Sequence, residues 1–346
     1  MASQPNHSPA RPGVSVVIPS YNLARFLAVA VDSVLRQEYS PVEIIVVDDG
    51  STDPTREVVA AYGERVRYVH QLNAGVSAAR NTGIAAARFP FVAFLDADDE
   101  WLPGMLSRIM ATFARLPEAY GLVACGFRVM DKAGAELGRK MRADDSEGEV
   151  TASDLVLMNR FAADTVVVKR SVLERAGLFD TNLVSSEDRD LWIRIAQHSR
   201  IHRLSDPLVK VRTHVGSLST HGDRMKRSMK QVLHKARHHE HLLQRKLFFW
   251  ARAHAFLHYQ TAWIYFNEHR YGAALRDMVW SILIWPLFFN PHRLHENYGF
   301  RTRSILAFFR AIIRRSCAGR QPLELGRLKG AANPTDIAAP PLNHPE

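Results

Sequence analysis

Three carboxylates fall within four residues at Asp96-Ala97-Asp98-Asp99, directly after the apolar run 91–95. Acids crowded this closely repel one another unless a cation shares them. Carboxylates at i and i+2 of an extended turn can direct oxygens to one hard ion, and Mg2+ or Mn2+ in such a place is usually shared with substrate phosphates. A polar turn with Asp99 or Glu100 capping the next helix explains one acid and leaves the others unexplained. The spacing therefore predicts a divalent metal site.

Four further groups carry chemistry only in combination. Pro19-Ser20-Tyr21-Asn22 follows one β-branched run and Asp48-Asp49-Gly50-Ser51 follows another. In an open parallel sheet, ligands bind at the carboxyl edge of the strands. There Asp49 could accept the N3–H of uracil or thymine, Tyr21 could lie against the base, and Ser51 could cap a helix; a plain turn with an N-cap explains the same residues. The segment 73–81 is a turn into a helix whose first amides would attract phosphate, with Arg80 one turn further on, although a surface arginine after a turn is commonplace. Ser186-Glu187-Asp188-Arg189-Asp190 opens an amphipathic helix, where acids ordinarily just oppose the helix dipole but where a general base could be held rigidly. Last comes Arg212-Thr213-His214 with Gly216-Ser217: His214 could ligate the metal, and Arg212 or Ser217 could touch a diphosphate, against the simpler reading of a solvated histidine.

These groups must be positioned by regular elements, and the pattern from Val14 to Leu95 supplies them. Short β-branched runs near 14–18, 42–47, 66–69 and 91–95 alternate with helical segments, the signature of parallel strands joined by crossover helices. Asn22 is placed to cap the first helix, and Ser51, Thr52 and Asp53 the second. A helix over about 103–116 and a strand over 122–129 follow. Residues 131–149 have almost no apolar period and read as an exposed hairpin or loop. A strand at 165–168, helices at 171–176 and 187–198, and a late strand at 208–212 complete this part. From about residue 225 the composition becomes helical, basic and aromatic.

The chain has 346 residues, 47% of them hydrophobic, which is enough for one large core or two ordinary domains. A formal charge of +10 calls for anionic partners without choosing among nucleic acid, nucleotides and lipid surfaces. Cys125 and Cys317 are the only cysteines, so neither a disulfide framework nor a thiolate zinc site is available and a reducing, cytoplasmic setting is expected. The polar N-terminus lacks a secretory pattern, and the apolar run 278–289 is short and broken by Pro286, so no transmembrane helix is predicted. The first strand leads to Pro-Ser-Tyr-Asn instead of Gly-x-Gly-x-x-Gly, and there is no Gly-Lys-Ser/Thr loop. These absences disfavour nicotinamide dehydrogenases and P-loop enzymes.

In this order the groups resemble the family 2 glycosyltransferases of the bacterial cell-surface polysaccharide type, over Val14 to about Ser219. The resemblance implies a GT-A (Rossmann-like) α/β fold, a mixed, mainly parallel sheet flanked by helices, followed by an α-helical C-terminal region. It also implies an inverting, metal-dependent transfer of sugar from a nucleoside diphosphate, UDP or dTDP, to an acceptor hydroxyl, in cell-surface polysaccharide or glycolipid synthesis. Carried over by residue, Pro19, Tyr21 and Asp49 line the nucleoside, Gly75, Ser77 and Arg80 border the nucleotide, and Asp96 meets ribose or metal-bound water. Asp98 carries the main metal contact with His214 added, Asp99 sits at the sugar or acceptor, Asp188 is the general base and Glu187 its acceptor-side neighbour. The cofactor is Mg2+ or Mn2+. Ser-Ser-Glu-Asp stands where many members have a glycine before the acidic pair.

The expected organisation is a disordered lead-in (1–12), a GT-A domain (13–222), a helical basic and aromatic region (223–319) and a disordered tail (320–346). Basic and aromatic residues in the third segment suggest a peripheral contact with the anionic inner face of the cell membrane, where a glycan or lipid-linked acceptor would be presented. A helical bundle packing on itself accounts for much of the same pattern. A metal site at His234, His238, His239 and His241 competes with a solvated basic helix. A non-catalytic sugar-nucleotide-binding scaffold is the main alternative function. A nucleic-acid-binding protein is a weaker one, because the acids would repel phosphate, and no nucleic acid partner is expected.

Overall fold

The computed structural model describes residues 11–137, 147–213, 221–238, 247–287 and 300–317. Strands β1 (Val14–Ser20), β2 (Val42–Asp48), β3 (Val66–His70) and β4 (Phe91–Phe94) lie parallel in the order β3-β2-β1-β4. Both faces of β1, β2 and β4 are covered, which is why they read as largely apolar runs, whereas the edge strand β3 leaves Arg67 and His70 exposed. Val17, Ile45, Val47 and Phe94 enter one hydrophobic cluster, and Val14, Val16, Ile18, Ile44 and Val46 the other.

The crossovers are α1 (Ala24–Leu35), α2 (Thr55–Ala60) and α3 (Val76–Ala86). Helix α1 buries Leu27, Ala30, Val31 and Val34, a spacing that gives it one apolar face. Helix α3 lies so close to β1 that a Cβ on Gly83 would fall 2.2 Å from Cγ1 of Val17, so only hydrogen fits there.

After β4 the chain forms β5 (Glu100–Trp101), α4 (Met105–Phe113), β6 (Tyr120–Met130), β7 (Gly148–Val150), α5 (Ala152–Leu157), β8 (Val166–Lys169), α6 (Arg170–Ala176), α7 (Glu187–His198) and β9 (Arg200–Arg212). Strand β8 inserts antiparallel between β4 and β6, β9 runs parallel beside β6, and β5 and β7 both pair antiparallel with β9. The result is one mixed sheet of nine strands whose first half is parallel.

Several elements differ from their expected bounds by one to three residues, among them α4, β6 and α6, and two further differences have a local cause. The late strand begins at Arg200, eight residues before the start read from the sequence, because it runs on through Asp206-Pro207, where the pairing register shifts beside Gly126. A proline within a strand masks the periodic signal. Thr165 closes a single 3-10 turn (Ala163–Thr165) before β8 instead of opening the strand.

Helices α8 (Gly222–Arg237), α9 (Leu247–Asn267), α10 (Tyr271–Ile284) and α11 (Phe300–Cys317) follow. Met229, Val232 and Leu233 of α8 and Trp250, Ala253 and Leu257 of α9 enter the same cluster as Phe161, Trp192 and Phe94 of the sheet region. Further out, Phe256, Tyr259, Trp263, Met278 and Phe308 form a cluster among the helices alone. Asp277 of α10 is fully buried in the bundle, with Lys226 Nζ at 2.6 Å and the Thr261 hydroxyl donating to it at 2.8 Å. The lead-in through residue 10 and the tail from residue 318 lie outside the described residues. Among those described, no helix is long and apolar enough to cross a membrane.

Candidate active site

The site is built at the carboxyl edges of β1, β2 and β4, beginning with two loops that hold each other. Asn22 sits in the left-handed region at φ 54°, a conformation asparagine tolerates better than most residues. Its Oδ1 accepts the amides of Thr52 (2.8 Å) and Asp53 (3.3 Å), while its own amide donates to the Ser51 hydroxyl at 3.0 Å. The expectation that Asn22 caps α1 is corrected, since Asp53 Oδ2 accepts the Ala24 amide at 2.8 Å in that role. The side chain of Asn22 is turned across to the β2 loop.

Asp48 and Asp49 have different duties. Burial raises Asp48, but hydrogen bonds from Ser51 and Tyr68 outweigh it, and the carboxyl lies below its usual value. Asp49 accepts Gln71 Nε2 (2.7 Å) and the Ala74 amide (2.9 Å) on one oxygen and the Gly75 amide (2.8 Å) on the other. Three donors fill three of about four lone-pair sites on a carboxylate, leaving one for a ligand N–H. Pro19 is buried in β1, and Tyr21 beside it is 48% exposed, free to lie against a base.

Gly75, expected to border the nucleotide, is the N-cap of α3 at φ 90°, and its amide is spent on Asp49. At the second position of α3, Ser77 is 4% exposed with a buried hydroxyl that has no partner. Arg80 was expected at a nucleotide; the fold instead buries it to 3% exposure against the ring of Phe179. Its Nη2 donates to Asp96 Oδ1 at 2.7 Å and its Nη1 to Glu187 Oε1 at 2.7 Å. Burial opposes the charge on Arg80, but Asp96, Glu187 and Asp164 overcome it and raise its pKa.

The acidic turn after β4 gathers a third chain segment. Asp96, Asp99 and Asp164 each offer an oxygen within 4.8 Å of the others. Asp164 Oδ1 accepts the Asp96 amide at 2.7 Å, and its backbone carbonyl accepts Trp101 Nε1 at 2.9 Å. Asp99, expected at the sugar or acceptor, is 3% exposed and accepts the Arg212 amide at 2.7 Å. Burial, followed by Asp164, Asp98 and Asp96, holds Asp99 well above the ordinary carboxylate value. Burial and Asp96 push Asp164 up to about 7, with Arg80 opposing. Asp98 is half-buried on the same turn, and its carbonyl accepts Arg212 Nε at 2.8 Å. An all-oxygen donor set of three converging carboxylates, two of which (Asp99 and Asp164) are held above their ordinary values, suits a hard divalent cation, so these residues fit such an ion.

Asp188, at the start of α7, accepts Asn159 Nδ2 at 3.0 Å and the Arg189 amide at 2.7 Å. Burial first, then the neighbouring Glu187, raise its carboxyl to about 6. Beneath it, Arg189 donates to the carbonyls of Leu155 (2.8 Å) and Val156 (2.7 Å) and so ties α7 to the end of α5. Ser186, the residue before the acidic pair, has φ 59° and ψ 21°. That left-handed backbone accounts for the glycine common at this place in the resembled family.

Arg212 is not free for a diphosphate as the sequence led us to expect, because its guanidinium donates to the carbonyls of Asp98, Asp131 and Lys132. His214, with Ser217, lies outside the described residues, as do His239 and His241. Sequence reasoning missed Asp164, Asn159 and Arg189. The one local signal for Asp164 is an acid directly before the valine run of β8, which means little until β8 is known to neighbour β4.

Residues 15–173 match the family model described as "Glycosyl transferase family 2". An uncharacterized glycosyltransferase of Rickettsia prowazekii (strain Madrid E) is 30% identical over 206 residues, 59% of this chain and 64% of that protein. The chain thus spans less than two thirds of the length of this curated relative. Among solved structures, the mannosyltransferase PcManGT from Pyrobaculum calidifontis, in complex with GDP-Man and Mn2+, superposes with a TM-score of 0.56 at 21% identity, covering 90% of this chain and 88% of that one. TarS of S. aureus, residues 1–349 in complex with UDP-GlcNAc, gives a TM-score of 0.53 at 18% identity, covering 90% and 93%. Identities this low establish the GT-A-like fold and nothing finer.

Proposed function

Residues 15–173 match the glycosyl transferase family 2 model, and on that match we propose that the protein transfers a sugar from a nucleoside diphosphate sugar to an acceptor hydroxyl in one inverting displacement. The observation that carries the reading is Arg80. One buried guanidinium joins the acidic turn after β4 to the start of α7, so donor-side and acceptor-side carboxylates share one rim of the sheet.

Each residue then has a task. Asp49 keeps one acceptor position for the N3–H of a pyrimidine, which supports UDP or dTDP, with Pro19 and Tyr21 beside the base. The α3 N-terminus faces the diphosphate with Ser77 buried in its first turn, Gly75 and Arg80 shape that loop from behind, and Asp96 lies toward the ribose. Asp98 would be the main metal contact and His214 a further ligand, on the turn whose neighbouring carboxylates Asp96 and Asp99 converge with Asp164 within 4.8 Å; a bound Mg2+ or Mn2+ would neutralise charge on the departing diphosphate. Asp188, raised to about 6, is ionised at neutral pH yet basic enough to take the acceptor proton, and Asn159 fixes its orientation. Glu187 stands beside it on the acceptor side. A single attack from the opposite face inverts the anomeric centre.

The acceptor is a glycan or lipid-linked hydroxyl presented at an anionic membrane surface, in cell-surface polysaccharide or glycolipid synthesis. This rests on exposed Trp280 and Leu283 of α10 and Leu306, Phe309 and Ile313 of α11, which stand beside exposed Arg303 and Arg310.

Thermal shift with nucleoside diphosphates, with and without Mn2+, tests the donor site, because a ligand raises apparent stability by mass action. UDP is expected to stabilise the protein only with the cation present, and Asp98→Ala to remove that dependence. Stabilisation indifferent to a chelator would count against the metal role. A scaffold that merely binds donor would keep its function after Asp188→Asn, whereas a transferase would not.

A further inference from the structure

Away from the sheet edge, α8 and α9 flank an open cavity of about 530 Å3 lined by Lys230, Leu233, His234, Arg237, His254 and His258. Five of these six side chains are cationic or can become so, and none is acidic. We propose that this cavity binds a phosphate group, as a monoester or diphosphate, independently of the transferase site.

Charge balance is the first argument. No carboxylate pairs with Lys230 or Arg237 among the described residues, and Arg237 rests on the ring of Trp250 at 6.0 Å. Among the described residues, Asp277 of α10 approaches the lining, 3.6 Å from His258 Nδ1. Its charge is already met by Lys226 Nζ at 2.6 Å and by the Thr261 hydroxyl at 2.8 Å. Among the described residues, the charges of Lys230 and Arg237 facing the cavity are therefore uncompensated. Burial, together with His258, Arg237 and Lys230, holds His254 below the usual histidine value, as expected where cations crowd without a counter-ion.

Shape is the second argument. Lys230, His234 and Arg237 fall at i, i+4 and i+7 on α8, and His254 and His258 at i and i+4 on α9, so both rows face the gap. Leu233 is buried and forms an apolar floor. A volume in the range of ordinary ligand pockets, roughly 300–1,000 Å3, admits a phosphate with substituents and exceeds what one chloride needs. Phosphate is the anion chosen because a guanidinium fork, an ammonium and imidazoles able to take up protons offer more donors than one carboxylate can use.

Calorimetric titration separates the possibilities. The probes are inorganic phosphate and a short-chain, micelle-free phosphatidic acid, and the proteins are the full chain and its Lys230→Ala/Arg237→Ala and Lys230→Arg/Arg237→Lys variants. Both replaced residues are exposed, so the core is untouched, and circular dichroism checks the fold. The full chain is expected to bind one equivalent that the alanine variant loses or holds at least about tenfold more weakly, and that the exchanged variant recovers. Tighter binding of phosphatidic acid would identify a lipid headgroup as the source, and equal binding a soluble phosphate. No binding by the full chain, or binding unchanged in the alanine variant, overturns the proposal.

Discussion

Arg80 and Glu187 meet at 2.7 Å across 107 residues of sequence, and the same guanidinium reaches Asp96 at 2.7 Å on its other arm. Arg80→Ala leaves both carboxylates close together with their shared cation gone. Breaking a buried pair by removing one partner costs about 3–5 kcal/mol, to be read from urea unfolding. Arg80→Lys keeps the charge but offers a point donor in place of a fork, so it should fold and lose at least about tenfold in transfer rate.

Asp188→Asn should abolish sugar transfer by roughly 100-fold or more while UDP binding persists, since a general base contributes about that much. In the unaltered protein, kcat/KM should rise as pH rises through about 6, because the carboxylate form is the active one. Stability runs the other way. The folded value lies above the ordinary 3.8, so the contribution of Asp188 is complete at low pH and lost as pH climbs from about 4 to 6. Asp188→Asn should therefore be as stable as the parent, or more so, at pH 7 and lose that advantage at pH 4. A melt showing the opposite order would contradict the assignment.

Ser186→Gly should stabilise the protein by about 0.5–1 kcal/mol, because relief of a left-handed backbone outweighs the added freedom of the unfolded chain. Transfer activity should be retained, and Ser186→Val should destabilise. Denaturant midpoints for the three proteins decide it.

Asn22→Ala removes the acceptor that holds the Thr52 and Asp53 amides, and with it the brace between the β1 and β2 loops. The expected signature is a raised KM for the donor with kcat nearly unchanged, and a stability loss of about 1–2 kcal/mol. A fall in kcat alone would place Asn22 in the chemical step instead.

Trp280→Glu with Leu283→Glu should abolish flotation with vesicles containing anionic lipid while leaving transfer to a soluble acceptor intact. Equal recovery of the parent protein with and without vesicles at low salt would remove the membrane from the picture.

How much of this was visible beforehand depended on whether a residue's partner was near in sequence. Strands β1 to β4 and the acidic turn were legible because a βαβ unit repeats a simple apolar period and each strand ends in its own polar group. Helix α7 was legible to the residue, since acids at its start and Leu191, Trp192 and Ile195 below mark both its end and its inward face. The hydrogen-bonding partners were not legible. Asp164 has no neighbour that marks it until antiparallel β8 sets it beside Asp96. Arg80 and Arg212 looked like anion-binding side chains, and only the fold shows that acids and carbonyls of the protein itself occupy them. The strand through Pro207 was cut short for a local reason, because a proline and a register shift interrupt alternation.

Trp250 of α9 and Trp192 of α7 lie in one hydrophobic cluster, so the C-terminal helices are not an appendage that can be exchanged like a cassette. Grafting the corresponding helices of a relative onto this sheet would set foreign side chains against Phe161, Leu155 and Trp192. Any change of acceptor preference introduced through those helices would have to be accompanied by repacking beneath Asp188.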